Sequence, residues 1–265
     1  MSFSLRSVKN ARELGGYAAA DGRHIKKGIL LRTAKLSGIS DEETALLRNT
    51  YKVSDIIDFR MPMEIAGFED PVISGAEYHN IDVMQLTDSE FAAFADIQSD
   101  LNDIRAIIDI MVRYDLFGTA LYKKYLDCES GKRGFGDFFR IILAAAPDRA
   151  VLWHCTSGKD RTGLAAMLLM TALGVDEETV VSDYMLTNEY NSASIDKMKR
   201  YFSSLGWDEA LTEMGLGVFE SVEERFLRES IAHLNEEYGS VLDYINNGLG
   251  ITEKQIEELK ERCLI

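Results

Sequence analysis

The segment that most constrains the fold is residues 150–173, AVLWHCTSGKDRTGLAAMLLMTAL. Its opening, AVLWHC, is a short apolar run of the kind a parallel sheet uses for a strand buried on both faces. Its second half, TGLAAMLLMTAL, is apolar nearly all round and long enough for a helix, so it predicts a buried helix that Gly174 closes. Between them lies a short polar turn containing Gly158. A strand with no polar face needs cover on both sides, which predicts a layered α/β architecture.

The rest of the chain supplies further strands and helices in alternation. GILLRTA, VSDIIDF and EYHNIDVM read as strands, the last two separated by a loop around MEIAGF that Pro62 and Pro71 bracket. Ser40 with Glu43 predicts a capping box ahead of EETALLRN, and Thr252 with Gln255 predicts another ahead of EKQIEELKERC. IRAIIDIMVRY and TALYKKYL carry apolar residues at three- and four-residue spacing, and GFGDFFRIILAAA reads as a helix stopped by Pro147. The prediction is α/β: a central, mostly parallel sheet flanked by helices, with a helical insertion at about 86–131. The chain has only three prolines and no Pro-, Gly- or Ser-rich linker, so residues 1–265 are expected to form one domain.

Charge and cysteine usage exclude several function classes. A formal net charge of −15 disfavours nucleic acid and anionic membrane as partners. No apolar run is long enough to span a bilayer, and the start of the chain lacks the apolar core of a signal peptide, so a cytoplasmic protein without stable membrane insertion is expected. Cys128, Cys155 and Cys263 are odd in number and lack CxxC spacing, which excludes a disulfide framework and a structural zinc site. The four histidines (His24, His79, His154 and His233) are scattered, so neither metal nor other cofactor is expected.

The turn after AVLWHC carries the chemistry. A chain that leaves a strand and curls into a helix start aims successive N–H groups at one point, forming an anion-binding nest. Thr156, Ser157, Gly158 and Lys159 would line it, with Gly158 supplying the turn. Arg161, six positions after Cys155, would begin the helix and bind two oxygens of a phosphate with its planar fork. The same donors and the helix dipole favour a thiolate at Cys155. His154 would fix the backbone around the cysteine, and Thr162 would offer its hydroxyl to the sulfur. A cysteine ending a buried strand is ordinarily an inert core residue. At about 5 % usage per residue type, however, His-Cys-x-x-Gly-x-x-Arg-[Ser/Thr]-Gly arises by chance roughly once per 10⁶ cysteines.

On these residues the sequence resembles the cysteine-dependent tyrosine phosphatase superfamily. HCTSGKDRTG is similar to the loop of its bacterial branch, whose members act on phosphotyrosine and, in several cases, on phosphoserine, phosphothreonine or phosphoinositides. NARELGGY, ILLRTAKLSGIS and IIDFRMPMEI resemble other segments of that branch, as does the closing YGSVLDYINNGLGITEKQIEELKERCL. The resemblance implies a phosphate monoester hydrolase that forms a cysteinyl-phosphate intermediate and acts on a phosphorylated protein. A phosphoinositide or inositol-phosphate substrate is the alternative, and sulfur transfer or arsenate reduction a remoter one. It also implies a helical lid, for which 86–131 is the candidate.

The resemblance further implies Asp160 as the acid that protonates the leaving oxygen. Asp82 and Asp88, which follow the EYHNIDVM strand, are the alternatives. Asp58 and Arg60 are expected to form supporting salt bridges near the loop. Arg12 is read chiefly as a structural ion-pair partner, yet it is the better of the remaining arginines for a direct substrate contact. Lys159 adds positive charge beyond what one phosphate requires, which would suit a polyanion.

Overall fold

The computed structural model describes residues 3–97 and 104–265. The middle of the expected insertion, 98–103, lies outside the described residues.

Five strands form one sheet: β1 (Arg12–Glu13), β2 (Leu30–Thr33), β3 (Val53–Asp58), β4 (Glu77–Asn80) and β5 (Ala150–His154), in the order β1-β2-β5-β3-β4. Only β1 runs antiparallel to its neighbour, while β5 pairs in parallel with both β2 and β3. The apolar run therefore sits at the centre of the sheet, with all five of its residues buried. Its side chains alternate between two cores, as a pleated strand requires. Val151 and Trp153 join the larger core with the helix after β5, while Ala150 and Leu152 join a smaller core with Leu47 and Phe3. The sheet is covered on both faces for that reason.

The smaller core is closed by α1 (Asp41–Asn49). Ser40 caps it by accepting from the Glu43 N–H, but the Glu43 carboxylate turns away to the Arg6 and Ser7 backbone. The expected capping box is therefore half present, because two other N–H donors compete for its carboxylate. The segment expected as a loop between the two prolines instead holds a short helix, α2 (Pro62–Ile65), with proline in the first turn, where its missing N–H costs nothing. β4 ends at Asn80, four residues before the expected boundary.

The insertion contributes α3 (Asp88–Ile97), α4 (Ile104–Arg113) and α5 (Gly118–Asp127). Leu121, Tyr122, Tyr125 and Leu126 of α5 lie within the larger core. That helix packs against α6 (Glu129–Ala144), α7 (Asp160–Ala172) and α11 (Glu224–Tyr238). On α6, Phe138 meets Trp153 of β5 edge-on at 5.4 Å. The helix α7 follows β5 directly, and eleven of its thirteen residues are buried. Gly174, at φ +83°, ends this stretch of chain as expected. The rest of the chain is helical too: α8 (Glu177–Tyr190), α9 (Ser192–Ser204), α10 (Glu209–Phe219) and, after α11, a short α12 (Val241–Asp243) continued by a π-helical turn (Tyr244–Gly248), then α13 (Glu253–Cys263). Thr252 and Gln255 form the full capping box of α13. Among the described residues, no helix is long and apolar enough to cross a membrane.

Candidate active site

Residues 155–159 form the turn from β5 into α7. Gly158 holds φ at +67°, and a Cβ there would sit 2.4 Å from the Thr33 carbonyl oxygen. No side chain fits, so glycine is a steric requirement. The turn is braced from outside. Asn10 Nδ2 donates to the Gly158 carbonyl at 2.7 Å and Arg32 Nη2 to the same oxygen at 3.1 Å. The Lys35 N–H donates to the Thr156 carbonyl, and Ser157 Oγ to the Phe219 carbonyl. Cys155 is 2 % exposed at the floor of the adjoining cavity.

Arg161 lies in the first turn of α7 and is held by a residue absent from the sequence-based candidates. Glu64 of α2 takes Arg161 Nη1 on Oε2 at 2.6 Å and Nη2 on Oε1 at 2.7 Å, and Thr156 Oγ1 donates to Oε1 at 2.6 Å. Arg161 Nη1 also donates to the Phe59 carbonyl, while Nε, buried, has no partner among the described residues. Burial pushes the Glu64 carboxyl up, but Arg161 and Thr156 overcome this and hold it below its ordinary range. Burial works against the Arg161 charge too, yet Glu64 keeps it firmly protonated. A sequence signal existed: IIDFRMPMEI matched a family segment ending in this glutamate.

Asp160, first residue of α7, accepts from Tyr122 Oη on Oδ1 at 2.7 Å and lies 3.4 Å from Lys159 Nζ through Oδ2. Of the three carboxylates weighed as acids, only Asp160 lines the cavity. Asp82 instead accepts the Met84 N–H in a local turn, and Asp88 opens α3. Lys159 lines the cavity but is only 4 % exposed, and its ammonium donates to the carbonyls of Gly217 in the last turn of α10 and Ser221 just after it.

Behind the turn lie two buried ionic clusters. Arg12 does not line the cavity. It is 3 % exposed and pairs with Asp183 of α8 at 3.0 Å, beside Asn10. Arg32 reaches the other oxygen of Asp183 at 2.7 Å, so one carboxylate anchors both arginines. Burial would raise the Asp183 carboxyl, but Arg12 and Arg32 outweigh it and hold it below its ordinary range. The second cluster contains the expected supporting pair: Arg60 spans both oxygens of Asp58 and also reaches Asp70 at 2.8 Å. His154 Nε2 lies 3.0 Å from Asp70, and its Nδ1 lies 3.3 Å from the Cys155 carbonyl oxygen. Asp58, Asp70 and His154 are close enough to hold a cation, but the Arg60 guanidinium already supplies one. Thr162 Oγ1 is fully buried, with no hydrogen-bond partner among the described residues.

Above Cys155 opens a cavity of about 530 Å³. Its walls are mostly apolar, with Met61, Met63, Met84 and Met111 prominent and Phe117 and Phe226 opposite. A thiol and a guanidinium lining a mostly apolar cavity can take an anion on an apolar stem.

A sequence model of the tyrosine phosphatase family matches residues 3–265. The chain belongs to the tyrosine phosphatase family. The phosphatase is 28 % identical over 258 residues to a Cupriavidus necator protein named as a tyrosine-protein phosphatase, a match covering 94 % of this chain and 85 % of that one. It is 24 % identical to the triple specificity protein phosphatase PtpB of Mycobacterium tuberculosis, with 95 % of each chain covered. Among solved structures it aligns with the core catalytic domain of the PP-IP phosphatase Siw14 of S. cerevisiae, at 14 % identity and a TM-score of 0.37, covering 78 % of this chain and 98 % of that one. The phosphatase is thus a tyrosine-phosphatase-like hydrolase, as its loop sequence implied.

Proposed function

We propose that the phosphatase hydrolyses aryl phosphate monoesters on proteins, phosphotyrosine foremost, through a cysteinyl-phosphate intermediate. The observation that carries this reading is Arg161: Glu64 holds both its terminal nitrogens, its buried Nε has no protein partner, and it shares the floor of an apolar cavity with Cys155.

The Cys155 thiolate attacks phosphorus in line, and the P–O bond to the leaving group breaks as the S–P bond forms. Arg161 Nε and the N–H groups left unpaired at the start of α7 bind the equatorial oxygens, whose charge spreads in the transition state. Asp160 gives its proton to the departing phenolate. Water then attacks phosphorus while the Asp160 carboxylate takes a proton from it, and the S–P bond breaks with Cys155 leaving as the thiolate. Arg12, Asp183, Asp58, Arg60 and His154 hold the backbone of the turn from behind. Neither metal nor organic cofactor takes part.

The mostly apolar walls of the cavity favour an aryl stem over the short side chain of phosphoserine. Lys35 supports a second reading. Its ammonium rests 3.5 Å from the centre of the Phe68 ring at the cavity wall and enters no ion pair among the described residues. That cation suits a substrate with further anionic groups, as in a phosphoinositide headgroup, and the M. tuberculosis relative is named for triple specificity. The whole chain is read as one catalytic domain, with α3 and α4 as the mobile part of any lid, because α5 is embedded in the core. A working thiolate fits the reducing cytoplasm.

The test is phosphate release, with a chelator present, from phosphotyrosine and phosphoserine peptides and from soluble phosphoinositides. Preference for phosphotyrosine with Lys35→Ala near wild type supports the first reading. Preference for phosphoinositide, lost in Lys35→Ala, replaces it with the second. Turnover of nothing on the panel by folded, reduced protein sinks both.

A further inference from the structure

Two buried hydroxyls from different helices form a hydrogen-bonded chain that ends on one oxygen of Asp160. Tyr122 of α5 and Tyr184 of α8 are each 1 % exposed, their rings meeting edge-on with centroids 6.3 Å apart. Tyr122 Oη donates to Asp160 Oδ1 at 2.7 Å, and the two phenol oxygens lie 2.7 Å apart. A phenol has one proton to give. Tyr122 gives its own to Asp160, so Tyr184 must donate to Tyr122, and the chain runs Tyr184 to Tyr122 to Asp160. Burial foremost, with Asp160 adding to it, pushes both phenols well above their ordinary range, so both remain donors at any working pH.

We infer that Tyr122 is a positioning residue for Asp160, fixing which carboxyl oxygen carries the proton and how readily it leaves. With Oδ1 occupied as acceptor, Oδ2 holds the proton that passes to the leaving oxygen as the P–O bond breaks. The Tyr122 bond strengthens as Asp160 becomes a carboxylate, so it favours the product of that transfer, and Tyr184 polarises Tyr122 in the same sense. The inference rests on Asp160 being the acid.

The other groups facing Asp160 are Lys159, the residue just before its helix, 3.4 Å from Oδ2, and Tyr125 on α5. Cys155, Arg161, Glu64 and Lys35 are the remaining charged or titratable groups lining the cavity. Among these groups, Tyr122 is the neutral donor bonded to Asp160. Its removal takes away that hydrogen bond and leaves the carboxylate less stabilised relative to the acid.

The experiment is the pH profile of kcat/KM, with phenyl phosphate and with p-nitrophenyl phosphate, for wild type, Tyr122→Phe, Asp160→Asn and the double variant. A poor leaving group needs the acid and a good one needs it little. The expectation for Tyr122→Phe is a loss of about tenfold or more with phenyl phosphate and much less with the nitro compound. Its basic limb should move up by about one pH unit. Adding Tyr122→Phe to Asp160→Asn should cost nothing further. A Tyr122→Phe basic limb identical to wild type, with Asp160→Asn showing leaving-group-dependent loss, overturns the inference and leaves Asp160 as the acid. Loss in Asp160→Asn that ignores the leaving group overturns both. Tyr184→Phe keeps the test open if Tyr122→Phe does not fold, with a smaller shift expected in the same direction and no shift counting against the inference.

Discussion

Glu64 takes both Nη nitrogens of Arg161, at 2.6 and 2.7 Å, and so holds a flexible side chain in one pose. A guanidinium clamped on one edge binds phosphate with the other and loses little freedom on doing so. Glu64→Gln should therefore lower kcat/KM for an aryl phosphate on the order of 10²-fold, mostly through kcat, because the receptor geometry matters most in the transition state. Steady-state kinetics checks this; an unchanged kcat would mean that Arg161 holds its pose without Glu64.

Asp183 is the sole carboxylate bonded to two buried arginines behind the turn among the described residues. Asp183→Asn should destabilise the fold by about 3–5 kcal/mol in denaturant unfolding, because Arg12 and Arg32 are left buried without a counter-charge. An effect below about 1 kcal/mol would show that the two arginines find other partners.

The same residue sets an acid limit on stability. Asp183, Asp70 and Glu64 are all held below their ordinary carboxyl values of 3.8, 3.8 and 4.5. A carboxyl depressed on folding contributes stability that is full above its unfolded value and is lost as pH falls through its folded one. Unfolding midpoints should thus hold steady on the neutral side of these values and fall steeply below about pH 4. The Asp183→Asn variant should lose less of its remaining stability over that interval. Wild-type stability that persists well below pH 3 would contradict the assignment.

Gly158→Ala should cost about 1–3 kcal/mol of stability from its left-handed backbone alone, and activity should fall further than stability does. The added Cβ meets the Thr33 carbonyl at 2.4 Å, so the turn must open and its N–H groups lose their common focus. Retained kcat/KM in a folded Gly158→Ala protein would show that the turn tolerates another path.

How much of this was legible in the sequence follows from the range over which each signal acts. The strand β5 and helix α7 were readable because unbroken apolar text admits few placements, and Cys155 with Arg161 because strand, turn and helix start fix their spacing. Partners that arrive from distant parts of the chain left no such mark. Glu64 sits in a stretch read as loop, and its role depends on α2 lying across the sheet edge from α7. Asp183 lies in helical text where an acidic residue looks solvated, and nothing local shows that Arg12 of β1 and Arg32 of β2 reach it in the interior. Tyr122 belonged to an apolar stripe, and its hydroxyl acquired meaning only when α5 packed on α7. The partners of the Lys159 ammonium, two backbone carbonyls at the end of α10 and just after it, were likewise invisible in the local text.

The central claim is that phosphate passes through Cys155. The most direct measurement is rapid acid quench during turnover of an aryl phosphate, followed by peptide mass analysis. The account predicts one phosphoryl group on the peptide that contains Cys155, accumulating within the first turnover and absent from Cys155→Ser, which releases no phosphate. Wild-type turnover with no phosphoryl group on that peptide, together with a Cys155→Ser protein that still releases phosphate, would contradict it.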